Sequence, residues 1–488
     1  MRPFPLRGEP LGETYDFDLV CIGSGPAGQR AAVQAAKLRK RVAVVEKRRM
    51  VGGVCVDTGT IPSKTLREAI LFFTGGGRFE RRRNGRAEKP TAEQVVARVD
   101  GVVAKEAEVI EDQLRRNDVT LLWGEASFVG PHTLVVQGDG EWKKVSAESV
   151  LISVGTRAAP PPGVPEDGTV ILTSDAVVNI KTLPRTMAVV GGGVIGIEYA
   201  SMFAALGVEV TVVEKRERPL EFLDAEIVDE MIHQMRNRNV TFRLGETVES
   251  LEVVQGPPQR AVIHLASGKR IVSDVVLFSV GRIGATDRLN LEAVGLAADD
   301  RGRLKVDEMF RTAVPHIYAA GDVIGYPSLA ATSSEQGRIA ACNAFGVACK
   351  PMAAHFPIGI YAIPEMSMVG KSEHDLTANR IPYETGVARY REIARGQILG
   401  DDTGLLKLLF HREDRKLLGV HAIGTGATEL IHIGQAVLGL GGGLDYFLET
   451  VFNYPTLAEC YKVAALDGIN RVRPATSTIV EMPETKAA

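Results

Sequence analysis

Cys55 and Thr60 stand five residues apart in the stretch GGVCVDTGTIPSK, residues 52–64. A redox-active disulfide at this spacing needs a second cysteine where Thr60 stands. A hydroxyl cannot form a disulfide or supply a thiolate at neutral pH. Lys64 closes the same stretch. Near the C-terminus, FNYPTLAEC (452–460) places Tyr454 five residues before Glu459. With an ordinary pKa of about 10, a tyrosine is a poor base near pH 7. The chain thus carries half of a sulfur site and an unsuitable base. Any reaction here must draw its chemistry from a bound group.

An internal repeat supplies the place for such groups. DFDLVCIGSGPAGQRAAVQAAKLRKRVAVVEK (16–47) reads strand, glycine turn, helix, strand. Its G-x-G-x-x-G glycines are Gly23, Gly25 and Gly28, and Glu46 ends the second strand, 18 residues after Gly28. TMAVVGGGVIGIEYASMFAALGVEVTVVEK (186–215) repeats the pattern with Gly191, Gly193, Gly196 and Glu214, offset by 168 residues (Gly23 to Gly191, Glu46 to Glu214). The first glycine permits a tight turn and the second lets a pyrophosphate approach the backbone. The third packs helix on strand. The helix N-terminus then holds phosphate, and the acid accepts ribose hydroxyls. Two such motifs predict two dinucleotides in one chain, able to exchange a hydride.

The rest of the chain supports these units. Residues 91–117 predict a helix with a capping box at Thr91 and Gln94. VSAESVLISVGTR (145–157) and DVVLFSVGR (274–282) are strands ending in turns at Gly155 and Gly281, and RTAVPHIYAAGDV (311–323) ends in Gly321 and Asp322. From about 355 the pattern changes to short strands and apolar helices, as in ATELIHIGQAVLGL (427–440). The basic loop GRFERRRNGR (77–86) reads as a solvated surface loop, with an anionic partner as the other reading. A tail is expected from about Ser477.

Length and composition agree. A chain of 488 residues exceeds one hydrophobic core, and 45% hydrophobic with 24% charged residues is ordinary for a globular protein. The net charge of −3 argues against a nucleic-acid partner. Cys21, Cys55, Cys342, Cys349 and Cys460 are few and unpatterned, as in a reducing cytosol. The N-terminus lacks the apolar core of a signal peptide, and no uncharged apolar run could span a bilayer. These features predict a cytoplasmic protein with no membrane partner. No residue cluster suggests a metal.

Together the two nucleotide motifs, GGVC…IPSK, the Gly321–Asp322 turn and the C-terminal pattern resemble the flavoprotein disulfide reductases over residues 16–472. The resemblance implies an α/β chain with two Rossmann-like dinucleotide-binding domains, for FAD and NAD(P), plus a C-terminal α+β dimerisation domain. The expected division is 1–160 and 286–354 for the FAD-binding parts, 161–285 for NAD(P), 355–476 for dimerisation and 477–488 for the tail. A homodimer or larger homo-oligomer follows.

Residue by residue, the resemblance implies FAD on Gly23, Gly25, Pro26, Ala27, Gly28, Glu46, Lys47, Gly53, Cys55, Lys64, Ala126, Gly155, Gly321, Asp322 and Ala330. Asp322 would meet the ribityl chain. It implies NAD(P) on Gly191, Gly193, Val194, Ile195, Gly196, Glu214, Arg216, Arg218 and Gly281. Lys64 would stand near flavin N5, paired with Glu198; the bland alternative is a solvated helix lysine. Thr60 takes the place of the family's second cysteine and Tyr454 that of its histidine.

One subclass, the soluble pyridine nucleotide transhydrogenases, is similar in these same features. The matching runs are IPSK, GDVIGYPSLA (321–330), PIGIYAIPE (357–365) and FNYPT (452–456). It implies hydride exchange between NADPH and NAD⁺, with no need for the missing parts. Packing then accounts for Cys55 better than redox chemistry does. Glu214 suits a ribose hydroxyl, and Arg216 and Arg218 suit a 2′-phosphate, unless they merely solvate a charged loop. Two other readings stay open: an NAD(P)H-dependent quinone or dye reductase, and a flavin-binding redox sensor without catalysis.

Overall fold

A computed structural model describes residues 15–75, 82–83, 86–87, 90–161 and 166–472. The tail expected from Ser477 lies outside the described residues, as does most of the basic loop. Within that loop, Arg82–Arg83 and Arg86–Ala87 pair as a short antiparallel ribbon.

Strand Phe17–Ile22 is central to the first sheet. It lies parallel to Val42–Glu46 on one side and to Trp142–Ile152 on the other. Thr120–Trp123 extends the first edge, and Ile317–Ala319 returns from late in the chain to pair with Trp142–Ile152. The buried strands read VAVVE and DLVCI because helices cover both faces of a parallel sheet. The helix Pro26–Lys37 connects the first two strands, and Pro26 at its first position has a φ preset for helix.

The second sheet repeats this plan. Thr186–Val190 lies between Glu209–Glu214 and Val275–Phe278, all parallel, with Ile171–Thr173 and Val240–Leu244 at the edges. Helix Val194–Ala205 is the counterpart of Pro26–Lys37. An antiparallel meander, Val248–Val254, Arg260–Leu265 and Arg270–Ser273, stands beside it. The C-terminal unit is a five-stranded antiparallel sheet backed by Ala427–Gly439 and Glu459–Val472.

Helix Ala92–Arg115 begins at the expected capping box. Thr91 Oγ1 accepts from Gln94 N, and Gln94 Oε1 accepts from Thr91 N. That helix packs on Thr60–Thr74, the helix carrying Lys64.

Three units share one core. Leu66 and Ile70 pack with Val189, Ile197 and Phe203 of the second unit and with Ile360, Met366 and Leu405 of the C-terminal unit. Polar contacts add to this. Arg67 Nε donates to Ala362 O at 2.9 Å, and Ile363 N to Ser201 Oγ at 2.9 Å. Buried Lys407 joins Asp224 at 2.9 Å, Glu226 at 3.1 Å and Glu373. These three acids lie close enough to hold a cation, and the Lys407 ammonium is the charge that meets them. The segment between the units is therefore stitched at several points, which fixes Lys64 relative to the second helix.

Candidate functional site: two nucleotide cradles joined by a lysine–glutamate pair

The two glycine turns superimpose in chemistry. Gly23 and Gly191 have φ of +105° and +107°, which only glycine adopts without strain. A Cβ on Gly28 would lie 1.9 Å from Gly23 O, and one on Gly196 would lie 1.9 Å from Gly191 O. These glycines are needed for helix–strand contact. Gly25 and Gly193 differ, since a Cβ there would meet nothing within 4 Å. They line open space where a phosphate group fits.

The helices they start carry no side-chain cap and no acid in the first turn. Their first N–H groups are left for an anion. Pro26 and Ala27 open the first helix, Val194 and Ile195 the second.

Each cradle ends in a buried carboxylate. Glu46 accepts from Ser24 Oγ at 2.5 Å, Ser24 N at 3.1 Å and Arg48 N at 2.8 Å. Glu214 accepts from Gly192 N at 2.6 Å and Arg216 N at 2.9 Å, and from the Arg216 guanidinium at 2.9 and 3.0 Å. Burial alone would raise its pKa. The Arg216 side chain, with the Arg216 and Gly192 N–H groups, outweighs that and holds it below the ordinary value. Lys47 follows Glu46 and reaches Glu125 at 3.4 Å. Arg218 is turned to Asp229 at 3.0 Å and Ala225 O at 3.0 Å. Of the two proposed phosphate partners, Arg216 therefore sits on the ribose acid itself and Arg218 is tied beyond the loop.

Sequence reasoning missed the serines that lock both turns. Ser153 Oγ donates to Ile22 O and Gly23 O at 3.0 and 3.1 Å. Ser279 Oγ does the same to Val190 O and Gly191 O at 2.9 and 3.1 Å. Their signal was present as the paired runs ISVG and FSVG, which end in Gly155 and Gly281.

Further residues converge on the first cradle. Gly53 approaches Gly25 so closely that its Cβ would lie 3.0 Å from Gly25 Cα. Ala126 is buried in the core of the first sheet. Gly321 N donates to Gln336 Oε1 at 2.8 Å, a buried side chain the sequence did not single out. Asp322 has hydroxyl contacts at 3.5 Å from Thr156 and Ser333. Burial raises its pKa, with Arg282 and these hydroxyls pulling only partly the other way. A desolvated carboxylate with such long contacts suits a ligand hydroxyl. Ala330 starts the next helix, at whose third turn a Cβ on Gly337 would strike Ala27 O at 2.1 Å. Open glycines, uncapped helices and waiting carboxylates fit a dinucleotide in each cradle.

Lys64 links the two units. Its ammonium donates to Glu198 Oε1 and Oε2 at 2.9 and 2.7 Å. Glu198 is the single charge in the apolar helix VIGIEYASMFAA, and its side chain is 4% exposed. Tyr361 N donates to Glu198 Oε1 at 2.8 Å, and the Tyr361 ring lies 5.0 Å from the Lys64 ammonium. Tyr361, from the PIGIYAIPE run, is another residue not named from sequence.

Cys55 lies in the short helix Gly53–Asp57, one turn from Lys64's helix. Burial pushes its thiol up, and a hydrogen bond with Thr60 pulls it only partly back. The hydroxyl occupies the position from which a second sulfur would bond. Tyr454 is 66% exposed on the surface of the C-terminal unit, just before the helix that Glu459 begins.

With this geometry in hand, comparison with known proteins is direct. The pyridine nucleotide-disulphide oxidoreductase model matches residues 17–337, and the dimerisation-domain model of that family matches 356–465. This chain belongs to the pyridine nucleotide-disulphide oxidoreductases. The soluble pyridine nucleotide transhydrogenase of Mycobacterium bovis is 53% identical over 464 residues, covering 94% of this chain and 98% of that one. That of Colwellia psychrerythraea is 42% identical over 470 residues, covering 95% and 100%. Among solved structures, LpdA from Mycobacterium tuberculosis matches with TM-score 0.84 at 26% identity, covering 93% and 100%. The HOCl-induced flavoprotein disulfide reductase RclA from Escherichia coli matches with TM-score 0.83 at 26% identity, covering 92% and 99%. Among the described residues no helix is long and apolar enough to cross a membrane.

The glycine geometry makes a two-way prediction. Gly25→Ala and Gly193→Ala fill open space and leave both folds intact. The first variant should be recovered folded but colourless, and the second yellow but unable to be reduced by NADPH or NADH. Absorbance at purification and nucleotide titration check this. A yellow Gly25→Ala protein with unchanged FAD affinity would remove the phosphate role from that turn.

Proposed function

We propose that this chain is an FAD-dependent transhydrogenase that exchanges hydride between NADPH and NAD⁺ (NADPH + NAD⁺ ⇌ NADP⁺ + NADH). The observation that carries this is the pairing of two dinucleotide cradles with a Cys55 whose partner is the Thr60 hydroxyl. The names of the relatives support the same reading. FAD, when bound, supplies the group that takes and returns hydride.

The chain's own residues position the reactants. The Gly23–Gly28 turn, Glu46 and Asp322 hold the resident cofactor. The Gly191–Gly196 turn, Glu214 and Arg216 receive the two nicotinamide nucleotides in turn. Lys64, fixed by both oxygens of Glu198, sets a positive charge between the cradles. Exchange between two nicotinamides leaves no proton to be placed, so the chain needs neither a thiolate nor a histidine. We assign FAD binding to 1–160 and 286–354, NAD(P) binding to 161–285 and homodimer formation to 355–476. Cytoplasmic residence accords with the cysteine usage.

The test mixes purified yellow protein with NADPH and a spectrally distinct NAD⁺ analogue. Parallel initial-rate lines are the expected result. Intersecting lines would exclude one site used in turn. Quinone reduced faster than the analogue would favour the quinone reductase reading, and no turnover with either would favour a sensor. In the same assay Cys55→Ser should keep at least about half of wild-type activity, because its buried thiol is kept protonated. A folded, yellow but inactive Cys55→Ser protein would show that the sulfur takes part.

A further inference from the structure

Cys342 and Cys349 lie outside the nucleotide cradles and outside the mechanism. Cys342 ends the helix Ala330–Ala344 and is 2% exposed. The chain then turns back on itself: Cys342 O accepts from Phe345 N at 3.3 Å and from Val347 N at 2.9 Å. This reversal returns Cys349 to the end of the helix it left. Cys349 Sγ donates to Asn343 Oδ1 at 3.7 Å, beside Cys342. Arg338, one turn earlier, donates from Nη1 to Cys342 Sγ at 3.8 Å, and its charge reaches both sulfurs. The two thiols are hydrogen-bond partners, and burial with that contact pushes the Cys342 thiol up. Both cysteines are reduced in this structure.

From this juxtaposition we infer that Cys342 and Cys349 form a peroxide-sensitive dithiol that closes to an intrachain disulfide. Cys349 is half-buried and reaches solvent, so it meets the oxidant first. Its thiolate attacks hydrogen peroxide; an S–O bond forms, the O–O bond breaks, and the leaving hydroxide takes a proton to become water. Cys342 then attacks the Cys349 sulfenic acid. The S–S bond forms, the S–O bond breaks, and the second hydroxide leaves as water with the Cys342 proton. Two thiols and one peroxide thus give one disulfide and two waters. The sulfurs need only close from hydrogen-bond contact to a bond of about 2 Å. Arg338 stabilises the thiolate character the first step requires. The link would fasten the far end of the helix that starts at Ala330 and packs through Gly337 on Ala27. This inference does not rest on the hydride-exchange reading.

The test treats the holoenzyme with hydrogen peroxide, alkylates the remaining thiols under denaturing conditions and digests with trypsin. Residues 339–371 form one tryptic peptide, because Pro351 protects the bond after Lys350, and it contains both cysteines and no other. Expected is this peptide unalkylated and two hydrogens lighter, restored to double alkylation by dithiothreitol. Cys342→Ser should instead leave Cys349 as a dimedone-trapped sulfenic acid, and Cys349→Ser should leave Cys342 alkylatable at the same peroxide dose. The inference is overturned if the peptide stays doubly alkylated while Cys55 is oxidised. Linkage of Cys349 to another chain on a non-reducing gel would overturn it equally.

Discussion

Lys64→Met is expected to slow hydride exchange by about 10²–10³-fold, the range found for removing one preorganised charge or donor from a reacting centre. The substitution keeps the length and helix propensity of the side chain while deleting its charge. It also leaves Glu198 buried, with Tyr361 N as the donor that remains on Oε1. NADPH- and NADH-linked rates should fall together, since the pair lies between the cradles and touches neither ribose. The bound FAD should stay, because its cradle is built from other residues. Glu198→Gln should reproduce part of the loss: the amide oxygen can still accept from Tyr361 N but no longer fixes the ammonium with two bonds. Stopped-flow reduction of the yellow protein by each nucleotide separates these outcomes. Unchanged reduction by both in Lys64→Met would make Lys64 a merely structural residue.

What the sequence disclosed, and what it hid, follows from the range of each interaction. The cradles were legible because their physics is local. Gly23, Gly25, Gly28 and Glu46 act within one strand–helix–strand unit, and the same spacing recurs at Gly191. The Lys64–Glu198 pair spans 134 residues and two units. No local pattern could join it, so it came through family resemblance. Ser153 and Ser279 were overlooked because each bonds a glycine turn more than 80 residues away. Tyr361 acts through its backbone N–H, which leaves no mark on residue type.

The loop after Glu214 shows a different limit. KRERP announces alternating charge but not which acid each arginine selects. Arg216 turned back to Glu214, and Arg218 crossed to Asp229. The cysteines misled for the same reason: Cys342 and Cys349 look unpatterned until the helix ends and the chain reverses between them.

The second large effect concerns nucleotide choice. Glu214 accepts four hydrogen bonds, two of them from the Arg216 side chain. The fork of Arg216 thus cancels the charge that would repel a 2′-phosphate, and the same carboxylate remains at the strand end for a ribose hydroxyl. One acid–base pair can then serve both cofactors: Arg216 moves from Glu214 to the phosphate of NADPH and stays on Glu214 with NADH.

Arg216→Ala is therefore expected to weaken NADPH by ten- to several-hundredfold, the loss of one or two charged hydrogen bonds of about 1.5–3 kcal/mol each. NADH should change by less than about threefold, since it has no phosphate to lose and Glu214 keeps its backbone donors. Adding Arg218→Ala should deepen the NADPH loss only slightly, because Arg218 is held by Asp229 and Ala225 O. Glu214→Gln should act in the opposite sense. It frees the guanidinium and removes a negative charge, so NADPH should bind about tenfold more tightly, a gain of about 1.4 kcal/mol, while NADH weakens. Titration of each nucleotide against the oxidised protein measures all four constants. Equal weakening of NADPH and NADH by Arg216→Ala would reduce the arginine to a support for the loop. Tighter NADH in Glu214→Gln would remove the carboxylate from ribose recognition.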